Sequence, residues 1–251
     1  MTTASDWQLG SPESGVIVSD EKWVLPNSRT MCTMSASATA VWQEFTIDSP
    51  GIAYELCKRV IDLVLSALLL VVLSPVFVIV AVAVKLTSRG PVFFKQIRAG
   101  LNGKSFTMYK FRSMHRGAAD DREFLEHLNE QQGPVFKIEK DPRLTSVGKI
   151  IRRTSIDELP QLLNVFLGQM TLVGPRPLWY PEAQNTHGMA SLRTKVKPGL
   201  TCLWQISGRS ELSYERWVEL DLYYIQTRSL LLDIMILVQT IPAVLTGRGA
   251  Y

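Results

Sequence analysis

The apolar residues of this chain are concentrated in one segment, and residues 63–84 include no charged side chain. A run of about 22 such residues has the usual length of a helix that crosses a bilayer. Basic residues nevertheless flank both ends, with Lys58 and Arg59 before the run and Lys85 and Arg89 after it. Because basic residues favour the cytoplasmic side of a membrane, both ends are expected on that side.

The dipeptide Ser74-Pro75 divides this apolar segment near its middle. Proline removes a backbone donor and clashes with the preceding turn, so the helix is expected to kink there. Two arms of about 11 residues each reach roughly 16 Å, about half the thickness of the hydrocarbon core. We therefore predict a re-entrant helix-break-helix over residues 53–89, with a straight span as the alternative. The Ser74 hydroxyl is expected to satisfy backbone groups freed at the break, and Asp62 to pair with an arginine at the membrane interface.

A basic segment with the pattern of a β-hairpin follows the apolar one. Residues 90–98 and 106–114 are short runs in which aromatic and aliphatic residues alternate with Lys and Arg, and a glycine-containing turn separates them. The basic side chains suit either a solvated surface or a surface that handles phosphate beside an anionic membrane. They are Lys95, Arg98, Lys104, Lys110 and Arg112.

Helical spacing of apolar residues predicts two further surface elements. Residues 118–132 carry dense charge with Phe124, Leu125 and Leu128 on one face, which indicates an amphipathic helix. Residues 230–245 are apolar but contain Asp233 and stop at Pro242, which favours an interfacial helix over a second membrane span.

An acidic pair lies at the start of another predicted helix. Ser155 and Glu158 fit a capping box, and an apolar face continues to Phe166. Asp157 and Glu158 therefore fall in the first turn, where carboxylates complement the helix dipole. Taken alone, this position explains both residues without any chemistry.

Composition and charge narrow the classes of partner. A net charge of +4 suits anionic partners, but the basic residues are not clustered in an element that reads nucleic acid, so no nucleic-acid partner is expected. The three cysteines are odd in number and lack metal-ligand spacing, which indicates neither a disulfide framework nor a zinc site. Residues 1–52 are rich in Ser, Thr, Asp and Gly without the pattern of a secretory signal, and we predict a disordered tail.

Several motifs occur in a fixed order along the chain, and the ordered set is more specific than any single motif. They are Lys58-Arg59 with Asp62, Ser74-Pro75, GPVFFKQIR, KFRSM, residues 152–161 with the acidic pair, Gly174-Pro175-Arg176-Pro177, KPGLTCLWQISGR, and a tail signature with Tyr214, Asp221, Tyr224, Ser229 and Asp233. From about residue 54 to about residue 246, this set resembles the bacterial sugar transferase family, the monotopic polyprenyl-phosphate phosphoglycosyl transferases.

The resemblance implies an α+β, mostly helical fold. It would consist of the re-entrant membrane helix, amphipathic interfacial helices, and a small cytoplasmic, membrane-associated catalytic domain over residues 90–251 that contains the short β-hairpin. Lys58, Arg59, Asp62, Ser74 and Pro75 would then be structural residues of the membrane segment. The expected location is the cytoplasmic face of a bacterial inner membrane.

The resemblance also implies the chemistry of the acidic pair. Asp157 would be the nucleophile that takes a phosphosugar from a nucleoside diphosphate sugar, and Glu158 would support a metal or position the substrate. Magnesium would be the cofactor, held by Asp157 and Glu158. The candidate phosphate-binding residues are Arg152, Lys110, Arg112, Arg176, Lys95 and Arg98, and Pro175, Arg176 and Pro177 are associated with the nucleotide.

The implied reaction transfers a hexose 1-phosphate from a UDP-sugar to undecaprenyl phosphate and releases UMP, at the first membrane step of exopolysaccharide or capsule synthesis. The chain resembles the hexose-transferring members of the family in its length and long C-terminal extension, which favours UDP-glucose or UDP-galactose as the donor, with N-acetylated sugars as the alternative. The aromatic residues near the C-terminus are compatible with a homodimer. A membrane-bound scaffold without catalytic activity is the alternative function, but it gives no reason for the motif around Asp157.

Overall fold

The computed structural model describes residue 47 and residues 50–118, 120–130, 136, 138, 140–247 and 249. Its first elements are two apolar helices, α1 (Ile52–Val72) and α2 (Ser74–Thr87). They meet at Leu73 at an angle of 59°. The predicted disordered tail falls almost wholly outside the described residues.

The break between α1 and α2 lies where Pro75 predicted it. Pro75 occupies the first turn of α2, where a missing backbone N–H is tolerated. The backbone bonds across the break are Leu73 N–H to Leu69 O and Phe77 N–H to Leu73 O. The expected role of Ser74 was wrong, because its hydroxyl is exposed and makes no hydrogen bond to the described residues.

No single helix among the described residues combines the length and apolar character of a membrane span. The pair α1 and α2 reaches both criteria together, as a bent unit. This agrees with a broken or re-entrant segment by length and composition.

The predicted β-hairpin is confirmed. Strands β1 (Phe93–Ala99) and β2 (Ser105–Phe111) pair antiparallel around a 3₁₀ turn at Leu101–Gly103. Paired residues share a face of the sheet, so Lys110 lies with Phe94 on one face and Phe111 with Phe93 on the other. Phe111 is buried and packs against Phe77 of α2, with 5.4 Å between ring centroids. The hairpin is thereby attached to the second apolar helix.

Short helices and turns follow the hairpin, and a second two-stranded sheet lies among them. Helix α3 is Ser146–Arg153, α4 is Gln161–Phe166, and α5 is Tyr180–Asn185. Strands β3 (Thr171–Val173) and β4 (Gly199–Thr201) pair parallel. A Cβ on Gly174 or Gly199 would collide with the backbone of the other segment, so both positions require glycine for this close approach.

The amphipathic surface helix predicted at residues 118–132 is shorter in the structure and is not an α-helix. The segment forms a 3₁₀ helix at Asp120–Leu128. Phe124 is 79% exposed and Leu128 is 42% exposed, so the apolar face lacks the tertiary packing that stabilises short α-helices.

The C-terminal part is helical, with α6 (Leu203–Ile206), α7 (Tyr214–Thr227) and α8 (Leu230–Thr246). Helix α8 continues past Pro242, whereas the sequence predicted an end there. Its inner face buries Asp233 and Ile236. Its outer face is an exposed apolar stripe of Leu231, Ile234, Val238, Ile241 and Leu245.

Three polar residues of α1 connect the first apolar helix to the rest of the protein. Lys58 donates to Asp233 (2.7 Å) and to the Val173 carbonyl (2.9 Å), and Arg59 donates to the carbonyls of Val165 and Phe166 at the end of α4. Asp62 corrects the prediction of an arginine partner. It is buried and accepts hydrogen bonds from the Thr171 hydroxyl (2.7 Å) and the Leu172 amide (2.8 Å).

Candidate active site

The acidic pair lies in a tight turn instead of the predicted helix start. Ser155 adopts a left-handed conformation with φ 55°, its side chain caps no amide, and a 3₁₀ turn at Ile156–Glu158 follows. An N-cap residue requires extended backbone, so the predicted capping box was wrong. A left-handed non-glycine residue is strained, and such positions often lie at functional sites.

Glu158 is held by two cations. Lys110 Nζ donates to Oε1 at 2.7 Å, and Arg176 donates to both oxygens at 2.5 and 3.2 Å. Burial by itself would raise the pKa of Glu158, but Arg176 and Lys110 hold it well below its ordinary value. Glu158 is therefore a fixed anion whose lone pairs are largely used.

Asp157 lies in different surroundings. The residue is 6% exposed, and its carboxyl receives no hydrogen bond from the described residues. Burial raises the pKa of this carboxyl to about 6, although Lys110, Arg152 and Arg176 oppose the shift. Asp157 is thus a buried carboxyl with free oxygens beside cations, which is the environment of a reactive group.

Arg152 lies in the last turn of α3, close to the acidic pair. Its Nε donates to the Ser113 hydroxyl at 3.0 Å, and its charge lowers the pKa of Asp157. The helix lies close to Ser113 because Gly148 leaves no side chain between them, and a Cβ there would overlap the Ser113 carbonyl. Thr145 caps the N-terminus of α3 through the Gly148 amide.

Arg98 lies at the edge of the same cluster. It donates to the Pro177 carbonyl (3.1 Å) and to Gln96, and burial together with Arg176 lowers its pKa to about 10. A small cavity beside Arg176 is lined in part by Pro177 and Arg193. Pro175 and Pro177 hold the loop around Arg176, because their carbonyls accept from Gly199 and Arg98.

Two of the six candidate phosphate-binding residues, Arg112 and Lys95, do not join this cluster. Arg112 is buried and donates to the carbonyls of Ser88 (2.7 Å) and Arg89 (3.1 Å), which ties β2 to the end of α2. Lys95 lies over the Tyr109 ring, on the face of the hairpin opposite to Lys110. Their roles in phosphate binding stay predictions.

Sequence reasoning missed two residues at the site, Trp204 and Arg209. Arg176 lies over the Trp204 ring, and Arg209 Nη1 approaches the Ser155 hydroxyl at 3.5 Å. Arg209 also has a left-handed backbone, with φ 54°. Both residues belong to the KPGLTCLWQISGR motif, but a motif gives no distance to the acidic pair.

The donor set limits how the site can hold a metal ion. No group of three or more His, Cys, Asp or Glu side chains occurs together in the described part of the chain. Asp157 offers free carboxylate oxygens, whereas both oxygens of Glu158 already accept hydrogen bonds. One carboxylate with water and substrate phosphates is an arrangement that magnesium accepts.

The sequence of this chain is similar to one protein family and to members with descriptive names. The sequence profile of the family "Bacterial sugar transferase" matches residues 53–247. An exopolysaccharide production protein ExoY of Sinorhizobium fredii is 42% identical over 200 residues, which are 77% of this chain and 88% of that protein.

Two longer relatives are similar over the same share of this chain. The UDP-glucose:undecaprenyl-phosphate glucose-1-phosphate transferase of Klebsiella pneumoniae is 41% identical over 202 residues, 77% of this chain and 41% of that protein. The undecaprenyl-phosphate galactose phosphotransferase of Salmonella typhimurium is 40% identical over 202 residues, with the same two shares.

Proposed function

The chain belongs to the bacterial sugar transferase family, and we propose that it transfers a hexose 1-phosphate from a UDP-sugar to undecaprenyl phosphate and releases UMP. A sugar-1-phosphate transferase activity agrees with the names of its Klebsiella and Salmonella relatives. The similarity to an exopolysaccharide production protein supports a place in exopolysaccharide or capsule synthesis. UDP-glucose and UDP-galactose are the donors we propose, because these sugars occur in the names of relatives.

The division of roles between Asp157 and Glu158 carries the proposal. Lys110 and Arg176 donate hydrogen bonds to Glu158, whereas the Asp157 carboxyl is buried and accepts no hydrogen bond from the described residues. A nucleophile needs a free lone pair, and an anion held by two cations is suited to position them. We therefore assign Asp157 as the nucleophile and Glu158 as the residue that orients Lys110 and Arg176.

The proposed reaction has two displacements. An Asp157 oxygen attacks the sugar-bearing phosphorus of the UDP-sugar, an acyl phosphate bond forms, and the bond to the UMP oxygen breaks with its electron pair leaving on UMP. A phosphate oxygen of undecaprenyl phosphate then attacks the same phosphorus and releases the Asp157 carboxylate. The product is undecaprenyl diphosphate hexose, and the enzyme returns to its starting state.

Cations beside Asp157 reduce the repulsion between a carboxylate and a diphosphate. Lys110, Arg152 and Arg176 all act electrostatically on Asp157. A guanidinium suits bidentate phosphate binding, which favours Arg152 and Arg176 for direct contacts. Arg209 approaches the Ser155 hydroxyl, next to the acidic turn, and is a further candidate for binding phosphate.

Magnesium fits this site as a proposed cofactor. Asp157 would hold it with one carboxylate oxygen, and the donor diphosphate and water would supply the other ligands. Bound there, the ion would neutralise charge on the diphosphate and on the leaving phosphate. Direct coordination by Glu158 fits less well, because both of its oxygens accept hydrogen bonds.

A re-entrant hairpin of α1 and α2 would place this site beside the membrane on the cytoplasmic side. Exposed apolar residues cover the outer faces of α1, α2 and α8 and would contact lipid. The contact between Phe77 of α2 and Phe111 of β2 attaches the β-hairpin to the membrane segment. This contact keeps Lys110, which is also in β2, close to α2. A water-soluble donor and a lipid phosphate can both reach such a site.

The covalent step is tested by adding the UDP-sugar alone to the purified protein. We expect a mass increase of one hexose phosphate on wild type and none on Asp157→Asn, which should also lose turnover. Glu158→Gln should turn over more slowly but still form the adduct, and Asp121→Asn is the control outside the site. Full turnover by Asp157→Asn, or no adduct on wild type, would overturn the mechanism.

A non-catalytic scaffold is the alternative function, and one assay separates it from the enzyme. We expect magnesium-dependent release of UMP when the protein receives undecaprenyl phosphate and UDP-glucose or UDP-galactose. N-acetylated UDP-sugars complete the donor panel. Absence of UMP with every donor would favour the scaffold.

A further inference from the structure

Two stacked tryptophans contact two of the arginines that lie near the acidic turn. The rings of Trp204 in α6 and Trp217 in α7 are 4.5 Å apart between centroids and inclined by only 16°. Each residue is 7% exposed, and Leu212, Tyr214 and Leu220 pack around the cluster that they form with Cys202. A buried aromatic pair in this arrangement is a rigid surface, because each ring restricts the rotation of the other.

Trp204 supports Arg176 directly. The guanidinium carbon of Arg176 lies 5.9 Å from the centroid of the Trp204 ring, within the range of a cation–π contact. The same guanidinium donates to both oxygens of Glu158. Arg176 is thus held between an anion and an aromatic face, and the face limits where the guanidinium can move.

Trp217 supports the segment that carries Arg209. Its Nε1 donates to the Arg209 carbonyl at 2.9 Å. Arg209 has a left-handed backbone, a conformation that a non-glycine residue keeps only when other contacts hold it. From this position its guanidinium approaches the Ser155 hydroxyl, next to the acidic turn.

We propose that the Trp204–Trp217 stack is a positioning platform that holds Arg176 at Glu158 and Arg209 at Ser155, the two ends of the acidic turn, ready to bind the diphosphate of the donor. The inference rests on the proposed function, since it names residues that prepare the same site. Among the described residues, neither tryptophan makes a hydrogen bond or ring contact with Asp157. Each acts through one arginine, so its contribution should depend on that arginine.

The first test compares two substitutions of Trp204 in full-length protein, with UDP as the probe. Trp204→Leu removes the aromatic face, and we expect it to weaken UDP binding about tenfold in calorimetry. Trp204→Phe keeps an aromatic face and should stay within about threefold of wild type. Thermal unfolding of each variant establishes that the protein is folded.

A double-mutant cycle shows whether Trp204 acts through Arg176. In an Arg176→Gln background, Trp204→Leu should change UDP binding less than about twofold, because the contact is already lost. Equal losses in both backgrounds would overturn the platform and leave a general packing role. The same holds if Trp204→Phe binds UDP as weakly as Trp204→Leu.

A milder substitution tests the second part of the proposal, that Trp217 acts through Arg209. Trp217→Phe keeps the stack but lacks the N–H that bonds the Arg209 carbonyl, so UDP binding should weaken in wild type and not in an Arg209→Ala background. An unchanged affinity in Trp217→Phe would refute this part of the proposal. If wild type binds no UDP at all, the proposed function fails first, and this result is distinct from a failure of either cycle.

Discussion

At the scale of single residues, Asp157 and Glu158 are neighbours whose carboxyl groups have opposite surroundings. Glu158 is fixed as an anion by Arg176 and Lys110, whereas burial favours the neutral form of Asp157. Neighbouring acidic groups with separated pKa values commonly have different roles in catalysis. The difference comes from side chains of β2 and of the loop after β3, which are distant in sequence.

The raised pKa of Asp157 gives a prediction for the pH dependence. Attack requires the carboxylate, so kcat/KM for the donor should fall as the pH drops through about 6. Lys110 lowers this pKa in wild type, so Lys110→Met should move the acid limb to higher pH. The measurement is the pH profile of UMP release, with Lys104→Met as the exposed control. An acid limb at the ordinary pKa of aspartate would contradict the assignment.

At the scale of elements, α3 and α1 each place parts of the site through contacts that a single substitution removes. Helix α3 brings Arg152 next to Ser113, and α1 holds the ends of α4 and β3 through Arg59, Lys58 and Asp62. The acidic turn precedes α4 and the loop of Arg176 follows β3, so the chain from α4 to β3 connects the two. Its position therefore affects the distance between Glu158 and Arg176.

Gly148→Ala tests the close packing of α3 against Ser113. The added methyl would overlap the Ser113 carbonyl, and such overpacking costs about 1–3 kcal/mol. We expect a lower unfolding temperature and a lower kcat/KM, because Arg152 loses its partner Ser113. Ser146→Ala, at an exposed position of the same helix, is the control. Unchanged stability in Gly148→Ala would refute the close approach.

The ion pair of Lys58 and Asp233 tests the attachment of α1. Their side chains are 13% and 8% exposed, and Tyr54 and Tyr224 also donate to Asp233. Removing one partner of a buried pair leaves an uncompensated charge, so Lys58→Met should destabilise the protein by about 3 kcal/mol.

A half-buried ion pair with greater solvent exposure supplies the comparison. Arg216 and Glu219 are 31% and 44% exposed, and Arg216→Met should cost only about 0–1 kcal/mol. The double variant Lys58→Met with Asp233→Leu should lose less than the sum of the single variants. Chemical unfolding in one detergent gives all of these values, and equal losses at the two sites would contradict a buried pair.

At the scale of the whole molecule, the proposed re-entrant hairpin requires both ends of the α1–α2 segment on the same side of the membrane. Pro50 and Lys104 are exposed positions before and after it. With native cysteines replaced, a single cysteine at either position should react with an impermeant maleimide only after the cells are permeabilised. Labelling of one position in intact spheroplasts would instead establish a straight span.

Patterns that act locally could be predicted from the sequence. Pro75 breaks its helix because of its own ring and missing N–H, and the β1–β2 hairpin follows from alternation around glycine. The family also followed from the order of motifs. The capping box failed because Ser155 is left-handed, a conformation that the residues around the turn determine.

Only the tertiary structure decided which charges meet. Lys110, Arg152 and Arg176 come to the acidic turn from three separate segments, while Arg112 and Lys95 have other partners. Asp62 likewise accepts hydrogen bonds from β3 and not from an arginine. The physical reason is that proline geometry and side-chain alternation are properties of neighbouring residues, whereas the free oxygens of Asp157 and the filled ones of Glu158 depend on contacts across the fold.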